Sequence, residues 1–135
     1  MYKFGKSSED RLSSVHPDLV RVCRRMLGYG ILDATVVQGR RGKEDQDRAF
    51  KEGKSKLKYP QSRHNSDPSE AVDIAPFVNG KVSWNTQHCL VLAGLMLAAA
   101  SELGVKVRWG GNWDRDGEPV TDQTFNDLVH FELDK

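Results

Sequence analysis

Asp127-Leu128-Val129-His130-Phe131-Glu132-Leu133 is the stretch on which the fold turns. From Leu128 to Leu133 its two-residue period reads as the final strand, with His130 and Glu132 on one face and Phe131 on the other, and Asp127 lies in the turn running into it. A second stretch answers it from the middle of the chain. Ser62-Arg63-His64 is followed, nine residues after the histidine, by Asp73 inside Ala71-Val72-Asp73-Ile74-Ala75-Pro76. Ala71 to Ala75 reads as a short strand that would hold Asp73 firmly, with His64 in the loop before it.

Working outward, Val15-His16-Pro17 opens a helix, since proline at the first helical position gives up an N–H that has no partner there. Leu19, Val20, Cys23, Met26 and Leu27 recur at helical spacing, and Gly28-Tyr29-Gly30 stops the run. Ile31 to Val37 is rich in β-branched residues and reads as a strand. Gln38-Gly39-Arg40-Arg41-Gly42 turns the chain into a short charged helix over Lys43 to Gly53. Lys54 to Ser66 is a basic loop without a period. Val78-Asn79-Gly80-Lys81-Val82 carries a hairpin signal, because Asn-Gly suits a type I′ turn. Asn85 caps a helix from Thr86 to Leu103, which Gly104 ends. Leu90 to Ala100 is apolar on nearly all sides and predicts a central, buried helix. Val105 to Trp109 reads as a strand and Gly110 to Asp122 as a polar loop. The sum is one α+β domain over residues 1–135, a small antiparallel sheet packed with helices.

Composition narrows the function classes. Twenty basic and nineteen acidic residues leave a net charge of +1. No basic stripe marks a nucleic-acid surface, and the lysines from Lys51 to Lys58 lack interleaved aromatics except Tyr59. Cys23 and Cys89 fall in helices and read as buried free thiols rather than a disulfide. Met1 to Lys6 has no apolar core of a secretory signal. The most apolar run, of about a dozen residues, falls short of the ~20 needed to cross a bilayer. The expectation is a monomer without membrane insertion, made and kept in the cytoplasm until another factor releases it.

Two imidazoles and one carboxylate make a three-ligand zinc set with a free fourth position, the pattern of catalytic rather than structural sites. His64, Asp73 and His130 are the expected ligands. Zinc so held lowers the pKa of a water and polarises a carbonyl oxygen. Asp127, three residues before His130, could take that water's proton and pass it to a leaving amine; the alternative is a turn-forming aspartate after Asn126. Glu132 could orient the His130 ring, or be a solvated strand carboxylate. A developing oxyanion needs a positive donor, and Arg41 is placed for it with Arg40 as competitor. His16 reads as a helix-start residue and His88 as part of a helix face, so neither joins the set. Asn112, Asp114 and Asp116 put oxygens at alternate positions ahead of Gly117, like the first half of a calcium loop. Its closing position is Gln123 rather than glutamate.

The pattern Ser-x-His…Ala-x-Asp…Asp-x-x-His-Phe-Glu, with its upstream Gln-Gly-x-Arg turn, resembles the zinc peptidases that cut bacterial cell-wall peptides. These include the D-Ala-D-Ala carboxypeptidases of vancomycin resistance and the phage L-alanyl-D-glutamate endolysins. The resemblance spans nearly the whole chain, and the short length is more like the endolysins. It implies the LAS-type fold shared by hedgehog and D-Ala-D-Ala peptidases. It also implies zinc on His64, Asp73 and His130, a catalytic Asp127 and a transition-state Arg41. Ser62 would help hold the substrate or the site loop. The implied partner is peptidoglycan, cleaved between L-Ala and D-Glu to lyse a phage's host. A D,D-carboxypeptidase and a non-catalytic zinc-containing binding module are the alternatives on the same scaffold. One departure stands out: the family spacing H-x-x-G-x-A-x-D is here longer by two residues and lacks the glycine.

Overall fold

A computed structural model describes residues 1–120 and 126–134. In chain order it contains α1 (Lys6–Leu12), α2 (Pro17–Gly28), β1 (Ala34–Gln38), α3 (Lys43–Lys51), β2 (Ala71–Val78), β3 (Lys81–Val82), α4 (Thr86–Leu103), β4 (Val107–Gly110) and β5 (Asp127–Leu133). A 3-10 turn at Arg63–Asn65 lies between α3 and β2. The sheet runs β1-β2-β5-β4 with β3 hairpinned onto β2, and every pairing is antiparallel. This is the α+β architecture that the sequence predicts.

Local chemistry sets the element ends. His16 caps α2, its Nδ1 accepting the Asp18 N–H at 3.1 Å, with Pro17 next in the chain. Asn85 Oδ1 accepts the N–H groups of Gln87 and His88 at the start of α4, and Gly104 ends that helix at φ +71°. Asn79 and Gly80 both take positive φ, as a type I′ hairpin requires.

One face of the sheet carries the core. Val72 and Ile74 of β2 and Phe131 of β5 meet Leu92 and Met96 of α4, and Leu19, Val22 and Met26 of α2 close over them. Burying side chains of this size stabilises by about 1.5–3 kcal/mol each. The strand period then forces Asp73, between Val72 and Ile74, to the opposite face. There it pairs directly with His130 across the β2–β5 ladder.

Irregularities in two ladders flank that pair. In β1 the register shifts between Val36 and Gln38, opposite Asp73. Between β4 and β5, Trp109 faces Phe131 but the next residue, Gly110, faces Asp127. The extra β5 residues bulge and bring Asp127 round to the His130 side, three residues along, where a regular strand would aim it away. A Cβ at Gly110 would overlap the Asp127 carbonyl, so only glycine permits this approach.

Several expectations shift. The short helix α1 is not read from the sequence. β1 begins at Ala34 rather than Ile31, because Ile31 is 62% exposed and the Asp33 side chain turns the chain by accepting the Ala34 N–H. β4 begins at Val107, because the Val105 N–H is spent on Ala100 at the end of α4. In α2, Val22 rather than Val20 completes the buried face. The largest correction concerns α4. It carries core on one side, but Leu90, Val91, Gly94 and Ala98 are exposed, because sheet and α2 cover only part of its circumference. Its length and composition would suit a membrane span, yet a third of that window is buried inside the domain. Both cysteines are free and buried, as expected.

Candidate metal centre

Three elements deliver three ligand atoms to one point. The 3-10 turn presents His64 through a capping box: Ser62 Oγ accepts the His64 N–H, and Asn65 Oδ1 accepts the Ser62 N–H at 3.0 Å. The His64 carbonyl accepts the Arg41 N–H at 2.7 Å, and Asn65 Nδ2 donates to the Arg41 carbonyl at 2.8 Å. The loop after β1 and the His64 turn are thereby stitched together. Ser62 is buried and serves the site loop.

His64 Nε2, Asp73 Oδ1 and His130 Nδ1 form a triangle with sides of 3.1–3.2 Å. Among the described residues this is the group of His, Cys, Asp and Glu side chains close enough to share an ion. Hydrogen bonding on the far sides of the rings fixes the chemistry. His64 Nδ1 lies 2.8 Å from the Gly39 carbonyl, so that nitrogen carries the proton. His130 Nε2 lies 2.8 Å from Glu132 Oε1, so it too is the donor. In neutral imidazoles the two remaining nitrogens then point bare lone pairs at each other and at a carboxylate oxygen. Three such atoms converge stably only around a cation. A tetrahedral ion with 2.0–2.1 Å bonds separates its ligands by about 3.3–3.4 Å, close to the triangle observed.

The surrounding charges agree. Burial would raise the Asp73 carboxyl, but the positive charge and hydrogen bonds of His64 and His130 hold it far below the usual range. Burial would depress His130, yet Asp73 and Glu132 outweigh it and push the imidazole up to about 10. The site therefore demands a positive charge, as a proton or as a metal ion. Glu132 is held below the ordinary carboxylate range against its burial, by His130 and by Arg108, whose Nη2 donates at 2.6 Å. Asp127 behaves in the opposite way: burial first, and then the negative charge of Asp73, push it up to about 6.

Arg41 reaches the same place. Its Nη2 stands 3.9 Å from Asp73 Oδ2, and its Nη1 donates to Gln46 Oε1 at 2.9 Å. Arg40, the other candidate, is exposed and lines neither recess of the cleft. The cleft has two recesses that share Arg41, Lys54 and Asp127. One is lined by Lys56, Arg63, Arg108, Trp113, His130 and Glu132. The other is lined by Val37, Gln38, Asp73, Trp84 and Asn126. Sequence reading missed Trp113, whose ring lies 5.4 Å from that of His130 with the Arg108 guanidinium over it, and it missed Arg63 and Arg108. The arginine at 108, directly across the ladder from Glu132, is a cross-strand signal readable only once the register is known.

The remaining candidates, Asn112, Asp114 and Asp116, are not among the three ligand residues. Asn112 Oδ1 and Asp114 Oδ1 both accept the Asp116 N–H, at 3.3 and 3.4 Å, and Asp116 Oδ1 accepts the Glu118 N–H at 2.8 Å. Gln123, the closing position of that loop, lies outside the described residues.

Comparison with known proteins decides the family. Residues 1–134 match the phage L-alanyl-D-glutamate peptidase family. The chain belongs to that family. It is 38% identical over 118 residues to the L-alanyl-D-glutamate peptidase of Escherichia phage T5, covering 87% of this chain and 85% of the relative. The crystal structure of the Serratia marcescens L-Ala D-Glu endopeptidase ChiX superposes with a TM-score of 0.80 at 34% identity, over 99% of this chain and 90% of the other. The LAS-type fold expected from the sequence is thus the fold observed.

Within this family the longer His64–Asp73 connection needs a physical account. Its added length is tied down. The Ser69 N–H donates to the Ser14 carbonyl and the His16 N–H to the Ser69 carbonyl, both at 2.8 Å, and the Glu70 N–H returns to Arg63 at 3.0 Å. Ser69 is fully buried. The ligands converge regardless of the extra residues.

Glu132→Gln tests the support around His130. It keeps the shape but removes the charge that holds the ring's proton, so metal affinity is expected to fall about 10–100-fold, with the fold retained. Competition against a chromophoric chelator, alongside circular dichroism, measures both.

Proposed function

We propose that this chain is a zinc-dependent endolysin that hydrolyses peptidoglycan stem peptides between L-Ala and D-Glu. The observation that carries the reading is the lone-pair triangle of His64, Asp73 and His130 at the junction of two recesses, with Asp127 and Arg41 beside it. An endopeptidase must hold chain on both sides of the scissile bond. A carboxypeptidase needs only one long side, so the double cleft supports the endopeptidase over the D,D-carboxypeptidase.

Zinc on these three residues supplies Lewis acidity, which makes water a better nucleophile at neutral pH and polarises the amide carbonyl. The chain's own residues do the rest. The Asp127 carboxylate accepts the proton of the attacking water and delivers it to the departing amide nitrogen of D-Glu. Its raised pKa suits a group that must take a proton and then give it up. The Arg41 guanidinium faces the oxygen on which negative charge develops. Glu132 and Arg108 hold the His130 ring and its tautomer. Ser62 fixes the turn that carries His64. The protein acts as a monomer on the cell wall, without inserting into the membrane or binding nucleic acid, and reaches the wall from the host cytoplasm when a separate factor permeabilises the membrane.

Calcium at the loop of residues 112–117 is a second part of the proposal. Asn112 and Asp114 turn their side-chain oxygens onto one amide, which gathers them ahead of Gly117 as a calcium loop does. Calorimetric titration is expected to give saturable heat that Asp114→Ala abolishes; no heat in the unaltered protein removes the idea.

Elemental analysis is expected to find stoichiometric zinc. Chelation should abolish lysis of cell walls, and zinc return should restore it. Mass analysis of digested muropeptides is expected to show new N-terminal D-Glu; release of free D-Ala alone would overturn the bond assignment.

Asp127→Asn is expected to lower kcat about 10²–10⁴-fold while metal stays bound. In the unaltered protein kcat/KM should fall as pH drops and Asp127 protonates, with an apparent pKa of about 6 or lower once a cation stands beside it. Full lytic activity in Asp127→Asn would overturn the role given to Asp127, whereas no hydrolysis by the zinc-loaded unaltered protein would favour the binding-module reading.

A further inference from the structure

The two recesses differ in chemistry. The first carries Lys56, Arg63 and Arg108, none of which lines the second. Arg108 uses Nε and Nη2 on Glu132, while a guanidinium offers five donors in all. The second recess adds no cation of its own. Its distinctive residues are Gln38, Asn126 and Trp84.

Trp84 is unusual in that setting. It is 64% exposed, while its backbone is pinned on both sides. The Ser83 N–H donates to the Pro76 carbonyl at 2.8 Å, and Asn85 caps α4. A large apolar ring held out on a fixed stalk at a cleft wall offers a flat stacking face at little cost in conformational entropy. Trp113, in the cationic recess, differs: the Arg108 guanidinium already lies over its ring.

The substrate is just as lopsided. On one side of the scissile bond D-Glu carries a carboxylate on its Cα, and the peptide continues. On the other side there is a single L-Ala, and beyond it the stem is joined through a lactyl group to an amino sugar. One extended residue spans about 3.3–3.6 Å, so carbohydrate begins within about 7 Å of the reacting carbonyl.

Resting on the endopeptidase reading above, we propose that the stem peptide crosses the cleft in one direction. Its acidic peptide side lies along Lys56, Arg63 and Arg108, and its sugar-bearing side lies against Trp84, which recognises the saccharide by stacking. Trp84 is then a specificity-determining residue that favours wall-attached stems over free peptide.

The test compares two substrates with zinc-loaded full-length protein: a disaccharide-linked tetrapeptide, and the same tetrapeptide with an acetylated N-terminus. The unaltered protein is expected to prefer the first in kcat/KM. Trp84→Ala should cut that preference roughly three- to tenfold through KM, the size of an aromatic face contact. Trp84→Phe should keep most of it. An equal change on both substrates, or none, overturns the proposal. So does loss of the sugar preference in Lys56→Gln instead, which would reverse the direction. If the unaltered protein cleaves both substrates equally, this inference fails and the function stands. If it cleaves neither, both fail.

Discussion

Everything at the centre depends on one cross-strand pair, Asp73 of β2 opposite His130 of β5. The pair exists because Val72, Ile74 and Phe131 are committed to the core on the other face. A slip of one residue in either strand would exchange a ligand for a core residue and cost both at once. The hydrophobic core and the metal centre are therefore two readings of a single register. His64 is brought to the pair from outside the sheet, by a turn whose polar atoms are bonded to the loop after β1.

Around the triangle, charge is arranged in shells of alternating sign. Asp73 stands among imidazoles, His130 stands between two carboxylates, and Glu132 is answered by Arg108 at 2.6 Å and by Arg63 at 3.8 Å. Buried ions on this scale are costly unless each is answered by an opposite neighbour. Asp127 is the member left with too little answer to its burial and to the charge of Asp73, which is why it holds its proton more tightly than an ordinary carboxyl, up to about pH 6. The same electrostatics that hold the metal-binding atoms in place leave one carboxylate poised to exchange a proton.

Much of this was legible in the sequence, for identifiable reasons. The period of residues 128–133 gave the face of His130 and Glu132, and the Asn79-Gly80 turn and the caps at His16 and Asn85 follow local rules that tertiary context did not override. The bulge that carries Asp127 was not legible. It depends on Gly110, whose approach to Asp127 is a fact of two strands rather than one. Arg108 and Trp113 were invisible for the same reason, since their value lies in what stands across the ladder. The solvent-facing side of α4 was misread because apolar composition reports what a helix can bury and not how much surface a small sheet has to cover it.

The tie between Ser69 and the turn joining α1 and α2 has a wider consequence. His64 is fixed from one side by Gly39 and Arg41, and the connection to Asp73 is fixed separately at Ser14, His16 and Arg63. Between those moorings, length becomes a free variable. Residues can be added between them without moving a ligand atom. The ligand triangle is thereby insulated from the length of the chain that links two of its own members.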